Sequence, residues 1–304
     1  MKAAVLKAFG GVEQLEVRDV PEPTTGPGTI KVRVVATSIN PSDWKLREGG
    51  KRPGLELELP TILGRDASGE VVEVGSGVTR FQTGMRVAGL VMGAYAERVV
   101  AREEAWVELP AGFDWVVAGA LPLVTLTGSQ LVDESLAPRS GETILVTGAL
   151  GSVGRTAVFA AKARRVKVWA GVRRSQKDGA EALSVDGAVA LDDEADSRRL
   201  PLLDGIADTV GASATEKLLD RVRRGGVIAS VASEPTGAVE RGIQVRHHWA
   251  HPDPARLAAL VRAVAEGALV IPIAKRFSLA QIREAQRFAE AGAAGKVIVQ
   301  VSDV

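Results

Sequence analysis

Ile144-Leu145-Val146-Thr147-Gly148-Ala149-Leu150-Gly151-Ser152-Val153-Gly154 organises the reading of this chain. A β-branched run enters glycines spaced three apart, and small and apolar residues follow at helical spacing as far as Arg164. A second strand-like run, Val166 to Ala170, comes next. Strand, tight turn, helix and strand in that order make a βαβ unit. Each glycine meets a different need. Gly148 tolerates the φ/ψ of the tight turn. Gly151 puts no Cβ where a diphosphate would approach the backbone, and Gly154 lets the helix pack close against the strand. The N–H groups of the helix start carry partial positive charge and would face that diphosphate, which makes Gly148, Ala149, Leu150, Gly151, Ser152, Val153 and Gly154 candidate dinucleotide contacts. Glycine spacing alone is a weak signal, because many strand–helix turns look alike; the flanking elements give it weight.

The next strand runs into Ala170-Gly171-Val172-Arg173-Arg174-Ser175-Gln176-Lys177. A site for the unphosphorylated dinucleotide usually places Asp or Glu about 20 residues beyond the glycines, on the ribose 2′-hydroxyl. Here the nearest acid, Asp178, lies beyond three cations. The guanidinium forks of Arg173 and Arg174 and the hydroxyl of Ser175 suit a doubly charged 2′-phosphate, with Lys177 a further candidate. The bland alternative is a solvated basic turn. The expected cofactor is NADPH, preferred over NADH by about two orders of magnitude, since each charge-assisted hydrogen bond is worth about 1.5–3 kcal/mol.

Around this centre the texture changes twice. Short strands at Lys2–Leu6, Leu15–Val20, Ile30–Val34, Glu70–Val74 and Arg86–Leu90, punctuated by Gly and Pro, predict a β-rich N-terminal part. From Trp115 onward helical and β-branched stretches alternate: a helix through Val117–Leu136 interrupted at Pro122, then strands at Thr143–Thr147, Gly187–Leu191, Ile206–Val210 and Gly226–Val231. Val210, Val231 and Ala232, at or just beyond the ends of these strands, join the candidate cofactor contacts. Alternation at this spacing predicts an α/β fold with a Rossmann-type, doubly wound parallel sheet. Two amphipathic helices, Pro254–Glu266 and Leu279–Ala291, and a last strand, Lys296–Val301, close the chain.

Composition bounds the function. The 304 residues are enough for two domains, and 46% hydrophobic with 25% charged residues is ordinary for a globular chain. Thirty-eight basic against 37 acidic residues give a net charge of +1, and aromatics are 4%, so no strong overall field or wealth of stacking rings points to nucleic acid. The sequence contains no cysteine, which excludes disulfides, thiolate nucleophiles and Cys-based metal sites. No apolar run reaches the roughly 18 residues of a membrane span. Lys7 interrupts any apolar core at the N-terminus, so no signal peptide and a cytoplasmic setting are expected.

Val34-Val35-Ala36-Thr37-Ser38-Ile39-Asn40-Pro41-Ser42-Asp43, Leu63-Gly64-Arg65-Asp66-Ala67-Ser68-Gly69-Glu70-Val71-Val72, the glycine loop and Gly295-Lys296-Val297-Ile298-Val299 together resemble the medium-chain dehydrogenase/reductase superfamily, in its zinc-free quinone oxidoreductase branch, which contains zeta-crystallin. The resemblance covers nearly the whole chain. It implies a GroES-like β-rich domain built from residues 1–118 and 248–304, with the dinucleotide domain, 119–247, inserted between them. Zinc-dependent members carry Cys where Asn40 stands and His-Glu where Arg65-Asp66 stands, so no metal is expected here. What remains is hydride transfer to an acceptor electrophilic without a metal, a quinone or an α,β-unsaturated carbonyl. The resemblance places Asn40 by the nicotinamide ribose, as a catalytic and cofactor-binding candidate, and Thr127 near the nicotinamide end. Asp43 reads as a proton relay or as a cap for the following segment, the cap being favoured. Arg65 and Asp66 polarise substrate or form a structural ion pair, the pair being favoured. Relatives often carry Tyr after the Asn-Pro-x-Asp segment. Here Trp44 follows, and the single tyrosine is Tyr95, which leaves the phenolic donor in question.

His247, His248 and His251 cluster without zinc-protease spacing and read as a surface or interface segment, and Asp192-Asp193-Glu194 reads as a solvated loop. Relatives pair edge strands of their nucleotide domains, so Gly242–Arg246 predicts a homodimer edge. Two function classes remain: an NADPH-dependent reductase, or an NADPH-binding regulatory or structural protein without turnover.

Overall fold

The computed structural model describes residues 1–51 and 53–302. The chain divides into two units, residues 1–123 with 252–304, and residues 124–251. The expected junctions at 118/119 and 247/248 are therefore displaced. Leu123 stays with the first unit, where its N–H donates to Asp66 Oδ1 at 2.6 Å. His251 stays with the second, exchanging backbone hydrogen bonds with the Gln130 amide at 3.0 and 3.2 Å.

The first unit begins with β1 (Lys2–Leu6), β2 (Leu15–Asp19), β3 (Thr29–Ile39), α1 (Pro41–Arg47), β4 (Thr61–Ile62), β5 (Asp66–Val74), β6 (Arg86–Leu90), β7 (Arg98–Arg102) and β8 (Trp106–Glu108). The helix α2 (Trp115–Ala118) follows, and α3 (Pro122–Gln130) starts in the first unit and runs on as the beginning of the second. The second unit carries β9 (Thr143–Thr147), α4 (Ser152–Ala163), β10 (Lys167–Val172), β11 (Gly187–Ala190), α5 (Glu194–Ser197), β12 (Leu203–Asp208), α6 (Ala212–Thr215), β13 (Val222–Ser230) and β14 (Gln244–His247). Then α7 (Pro254–Ala265), β15 (Ile273–Ser278), α8 (Ile282–Glu290) and β16 (Lys296–Gln300) complete the first unit.

In the second unit six strands lie in the order β11-β10-β9-β12-β13-β14, every neighbouring pair parallel. The order reverses beside β9, so the loop after β9 opens at the switch point where such sheets bind ligands. The alternation along β9 shows both faces covered: Ile144 and Val146 pack in one apolar cluster and Leu145 in another. Small residues on α4 let it sit close, with Gly154, Ala157 and Ala161 all buried. The expected helix through residues 117–136 is three pieces. Pro122 starts α3 at its first position, and residues 131–136 widen into an i→i+5 turn closed by Ala137 at φ 49°.

In the first unit β15-β16-β3-β5-β6-β8 form one sheet, with β7 also on β3, and β2-β1-β4 form another. Two registers matter for chemistry. β16 runs antiparallel to β3 with Val297 opposite Ile39, and β5 runs antiparallel to β3 with Ser68 opposite Ala36. Lys296 and Asp66 are thereby brought to the end of β3, at Ser38 and Asn40. The short strands β4, β7 and β8 and the exposed β15 lack the alternation that would reveal them in sequence.

Candidate functional site

The loop between β9 and α4 uses its glycines in three ways. Gly148 has φ +60°, and a Cβ there would meet Thr209 Oγ1 at 2.7 Å. At Gly154 a Cβ would meet the Gly148 carbonyl oxygen at 2.1 Å, so only glycine allows the helix this close. At Gly151 a Cβ would meet nothing nearer than that same oxygen, at 3.2 Å. The exposed Gly151 thus fronts open space at the start of α4, where the first-turn N–H groups of Ser152, Val153 and Gly154 have no partner within the helix. This cradle fits a diphosphate.

Ala149 is buried, its N–H held by the Gly171 carbonyl at 3.2 Å, while Leu150 packs against the core below. Val210 is half exposed just beyond β12, and Val231 and Ala232 follow β13, so all three stand at the same strand ends as the glycine loop. Thr127 lies on α3, 9% exposed. Arg173, Arg174 and Ser175 are exposed at the end of β10.

One buried carboxylate, absent from the sequence reading, ties these strand ends together. Asp208 Oδ1 accepts from Thr147 Oγ1 at 2.7 Å and from the N–H groups of Val210 and Gly211 at 3.1 and 3.0 Å. Its Oδ2 accepts from Ser230 Oγ at 2.7 Å. The carboxylate joins β9, β12 and β13 where a ligand would lie across them. An acid closing the apolar pair Ile206-Ala207 at the end of β12 was the available signal.

The acids missing from the linear reading of the β10 turn are supplied by the segment after β11. Asp192 and Asp193 are not a free solvated loop: Asp192 Oδ1 accepts the Arg174 N–H at 2.7 Å, and Asp193 Oδ2 pairs with the Arg174 guanidinium at 3.2 Å. Lys177 is paired with Asp196 at 2.6 Å, and that ammonium first, then the Ala190 N–H, draws the Asp196 carboxyl down to about 2.

In the first unit a second polar cluster is fully enclosed. Asp43 Oδ2 accepts the Asn40 N–H at 2.8 Å, so the capping role is present. The same oxygen also accepts the Tyr95 hydroxyl at 2.6 Å, so the single tyrosine reaches this segment from a distant loop after all. Burial pushes the Asp43 carboxyl up to about 6, against the lowering effect of those two donors. Burial, then the charge of Asp43, holds the Tyr95 phenol well above its ordinary range.

Asn40 is likewise enclosed. Its Nδ2 donates to Asp66 Oδ2 at 2.8 Å and to the Ser38 carbonyl at 3.3 Å, and its Oδ1 accepts from Lys296 Nζ at 2.6 Å. Ser38 Oγ also donates to Asp66 Oδ2. The favoured Arg65–Asp66 ion pair does not form. Arg65 Nε donates to the Val91 carbonyl at 3.1 Å, and the cation nearest Asp66 is Lys296, at 3.5 Å. The physical reason is the β16–β3 register, which delivers the ammonium from the far end of the chain. Burial lowers the Lys296 pKa, while the charges of Asp66 and Asp43 oppose that shift.

Of the histidines, His248 is buried with Nδ1 2.9 Å from Ser135 Oγ, and His251 faces Glu134 at 3.0 Å. Within the segment expected at a surface or interface, His248 is buried, His247 half-buried and His251 exposed.

Residues 26–111 match the alcohol dehydrogenase GroES-like domain and residues 186–299 the zinc-binding dehydrogenase family. Over 250 residues the chain is 39% identical to the quinone oxidoreductase of Pseudomonas aeruginosa, covering 78% of this chain and 75% of that one. It is 36% identical over 186 residues to a chloroplastic quinone-oxidoreductase homolog of Spinacia oleracea, spanning 58% of this chain and 56% of that protein. The structure of the quinone oxidoreductase from Coxiella burnetii superposes with a TM-score of 0.89 at 26% identity, covering 99% of both chains. The fold is thus a GroES-like β-rich domain with a Rossmann-type domain. The chain belongs to the medium-chain dehydrogenase/reductase superfamily, and it is an oxidoreductase of that family, with quinone oxidoreductases among its relatives.

Zinc, which one family description implies, does not fit the donors present. Structural and catalytic zinc sites are built largely from Cys and His. The chain has no Cys, and its three His all fall at 247–251, in the second unit. Among the described residues no group of three His, Cys, Asp or Glu is arranged to hold a metal.

Proposed function

We propose that the chain is an NADPH-dependent, zinc-independent reductase of quinones or α,β-unsaturated carbonyls, acting in the cytoplasm as a homodimer. The open face at Gly151 carries the cofactor reading, because it leaves unpartnered helix N–H groups beside a space no side chain fills. Bound there, the cofactor supplies the hydride. The N–H groups of Ser152 and Val153 hold the diphosphate, and Leu150 and Ala149 shape the loop beneath it. Arg173, with Arg174 and Ser175, receives the 2′-phosphate. Val210, Val231 and Ala232 wall the nucleotide, and Thr127 serves its nicotinamide end.

The acceptor class follows from the donor set. Without ligands for a Lewis acid, the acceptor must be activated by its own conjugation, as a quinone or enone is. The quinone oxidoreductases among the relatives support that class. In the first unit Asn40 is held in one orientation by Lys296 and Asp66, and Asp43 fixes the turn that follows it.

The test is NADPH consumption with a simple quinone and a simple enone, with and without chelator. Turnover that survives chelation in protein free of stoichiometric zinc is expected. One zinc per chain, or loss of activity on chelation, overturns zinc independence. Tight NADPH binding without turnover on any acceptor favours the regulatory reading instead. β14, which among the described residues pairs only with β13, offers the edge for the dimer. A stable monomer on sedimentation at micromolar concentration removes that proposal.

A further inference from the structure

The turn after β10 is electrically different from its own sequence. β11 runs parallel to β10 with Ala190 opposite Val172, so the residues past β11 come to lie beside those past β10. Those residues are acidic, and they engage the cations one by one. Asp193 takes the Arg174 guanidinium at 3.2 Å, and Asp196 takes Lys177 at 2.6 Å and Arg199 at 3.0 Å. Arg173 differs: it is exposed, and among the described residues its guanidinium is in no ion pair. Beside the pairs lies a cleft of about 500 Å3 lined by Arg174, Lys177, Asp193, Asp196 and Arg199.

We propose that Asp193, assisted by Asp192, is a specificity-determining residue that limits the preference for NADPH, so that this chain also admits NADH. The proposal rests on the nucleotide reading given above. The Asp193 carboxylate cannot turn away freely, because its Oδ1 accepts the Asp196 N–H at 3.2 Å and so caps α5. A 2′-phosphate brought to Arg174 therefore meets a guanidinium and a fixed carboxylate together. Attraction to one is partly cancelled by repulsion from the other. The uncharged 2′-hydroxyl of NADH incurs no such repulsion, and it is a donor that a carboxylate accepts. Lys177 is withdrawn from the phosphate by Asp196 in the same manner. Discrimination is left to Arg173.

Dissociation constants for NADPH and NADH, measured by tryptophan fluorescence on the full chain, test this. The variants are Asp193→Asn, the double variant D192N/D193N, Arg173→Ala and Arg174→Ala. Asn retains a helix-capping acceptor while losing the charge, so α5 keeps its start; thermal melts of each variant check the fold. The wild-type preference for NADPH is expected at about tenfold or less, well under the two orders that the turn's own sequence implies. Removing surface charge repulsion of this kind is worth about two- to fivefold, so D192N/D193N should tighten NADPH about three- to tenfold and leave NADH unchanged or weaker. Arg173→Ala should abolish most of the preference, and Arg174→Ala should change it by less than about twofold.

An unchanged ratio in D192N/D193N, or weaker NADPH binding, overturns the proposal; the carboxylates would then be orienting the arginine rather than competing for it. If neither arginine variant alters NADPH binding, the reading of the turn as the 2′-phosphate site fails, and that outcome is distinct because it appears in the arginines and not in the aspartates.

Discussion

The two units treat polar atoms in opposite ways. In the first, Asn40, Asp43, Asp66 and Tyr95 are all 0% exposed and hydrogen-bonded chiefly to one another. In the second, the atoms that matter stand at strand ends, with the first-turn N–H groups of α4 and the Arg173 guanidinium open. Groups that satisfy each other fix geometry, and groups left open await a ligand. Substitutions in the enclosed cluster should therefore change stability first, whereas substitutions at the open strand ends should change binding first.

The largest effect is expected at Lys296. Its ammonium, 5% exposed, is the charge that accompanies the buried Asp66 carboxylate. Removing one partner of such a pair leaves an uncompensated charge and costs about 3–5 kcal/mol. Lys296→Met should lose about that much in denaturant unfolding, and adding Asp66→Asn should restore part of it. A loss under about 1 kcal/mol would mean that solvent already reaches this cluster, and the contrast between the units would weaken.

A smaller effect belongs to Tyr95, and it depends on pH. Burial raises the Asp43 carboxyl from its ordinary 3.8 to about 6. Because the folded value is raised, burial of this group costs nothing below about 4, and its full cost is present above about 6. The Tyr95 hydroxyl reduces that cost by donating to the ionised form. Tyr95→Phe should raise the Asp43 pKa further and destabilise the protein by about 1.5–3 kcal/mol at pH 8, where a hydrogen bond to a charged group is lost. At pH 5, with Asp43 largely protonated, the loss should be nearer 1 kcal/mol. Equal losses at both pH values would show that the phenol and the carboxylate are not coupled.

The same contrast explains what the sequence could reveal. The cofactor loop lies within residues 144–154, and its strand–turn–helix physics is local, so spacing alone disclosed it. The enclosed cluster draws on residues 38, 40, 43, 66, 95, 123 and 296, which the registers of β3, β5 and β16 assemble together with α1, the loop of Tyr95 and the start of α3. Arg65 and Asp66 are neighbours in the chain, yet Arg65 stands outside β5 with its guanidinium on the Val91 carbonyl, and the β16–β3 register brings Lys296 to Asp66 instead. The pairing of Asp192 and Asp193 with Arg174 was invisible for a related reason. Parallel strands bring together residues separated by a whole crossover, and nothing in the Arg173–Lys177 turn announces what arrives beside it.

The smallest expected change in free energy comes from adding one methyl group at the open site. Gly151 has φ −71° and ψ 164°, an extended conformation that alanine adopts without strain. Its new Cβ would stand 3.2 Å from the Gly148 carbonyl oxygen, a contact relieved by a shift of a few tenths of an ångström. Gly151→Ala should therefore unfold within about 0.5 kcal/mol of the wild type, as surface substitutions usually do. The methyl nevertheless occupies the space a diphosphate needs to reach the N–H groups of Ser152 and Val153. Losing one good contact there costs about 1.4 kcal/mol, so NADPH and NADH should both bind about tenfold more weakly. The loss must be common to the two nucleotides, because the diphosphate is, which separates this effect from the Arg173 turn. If Gly151→Ala binds both as tightly as the wild type, the diphosphate does not lie on this helix start.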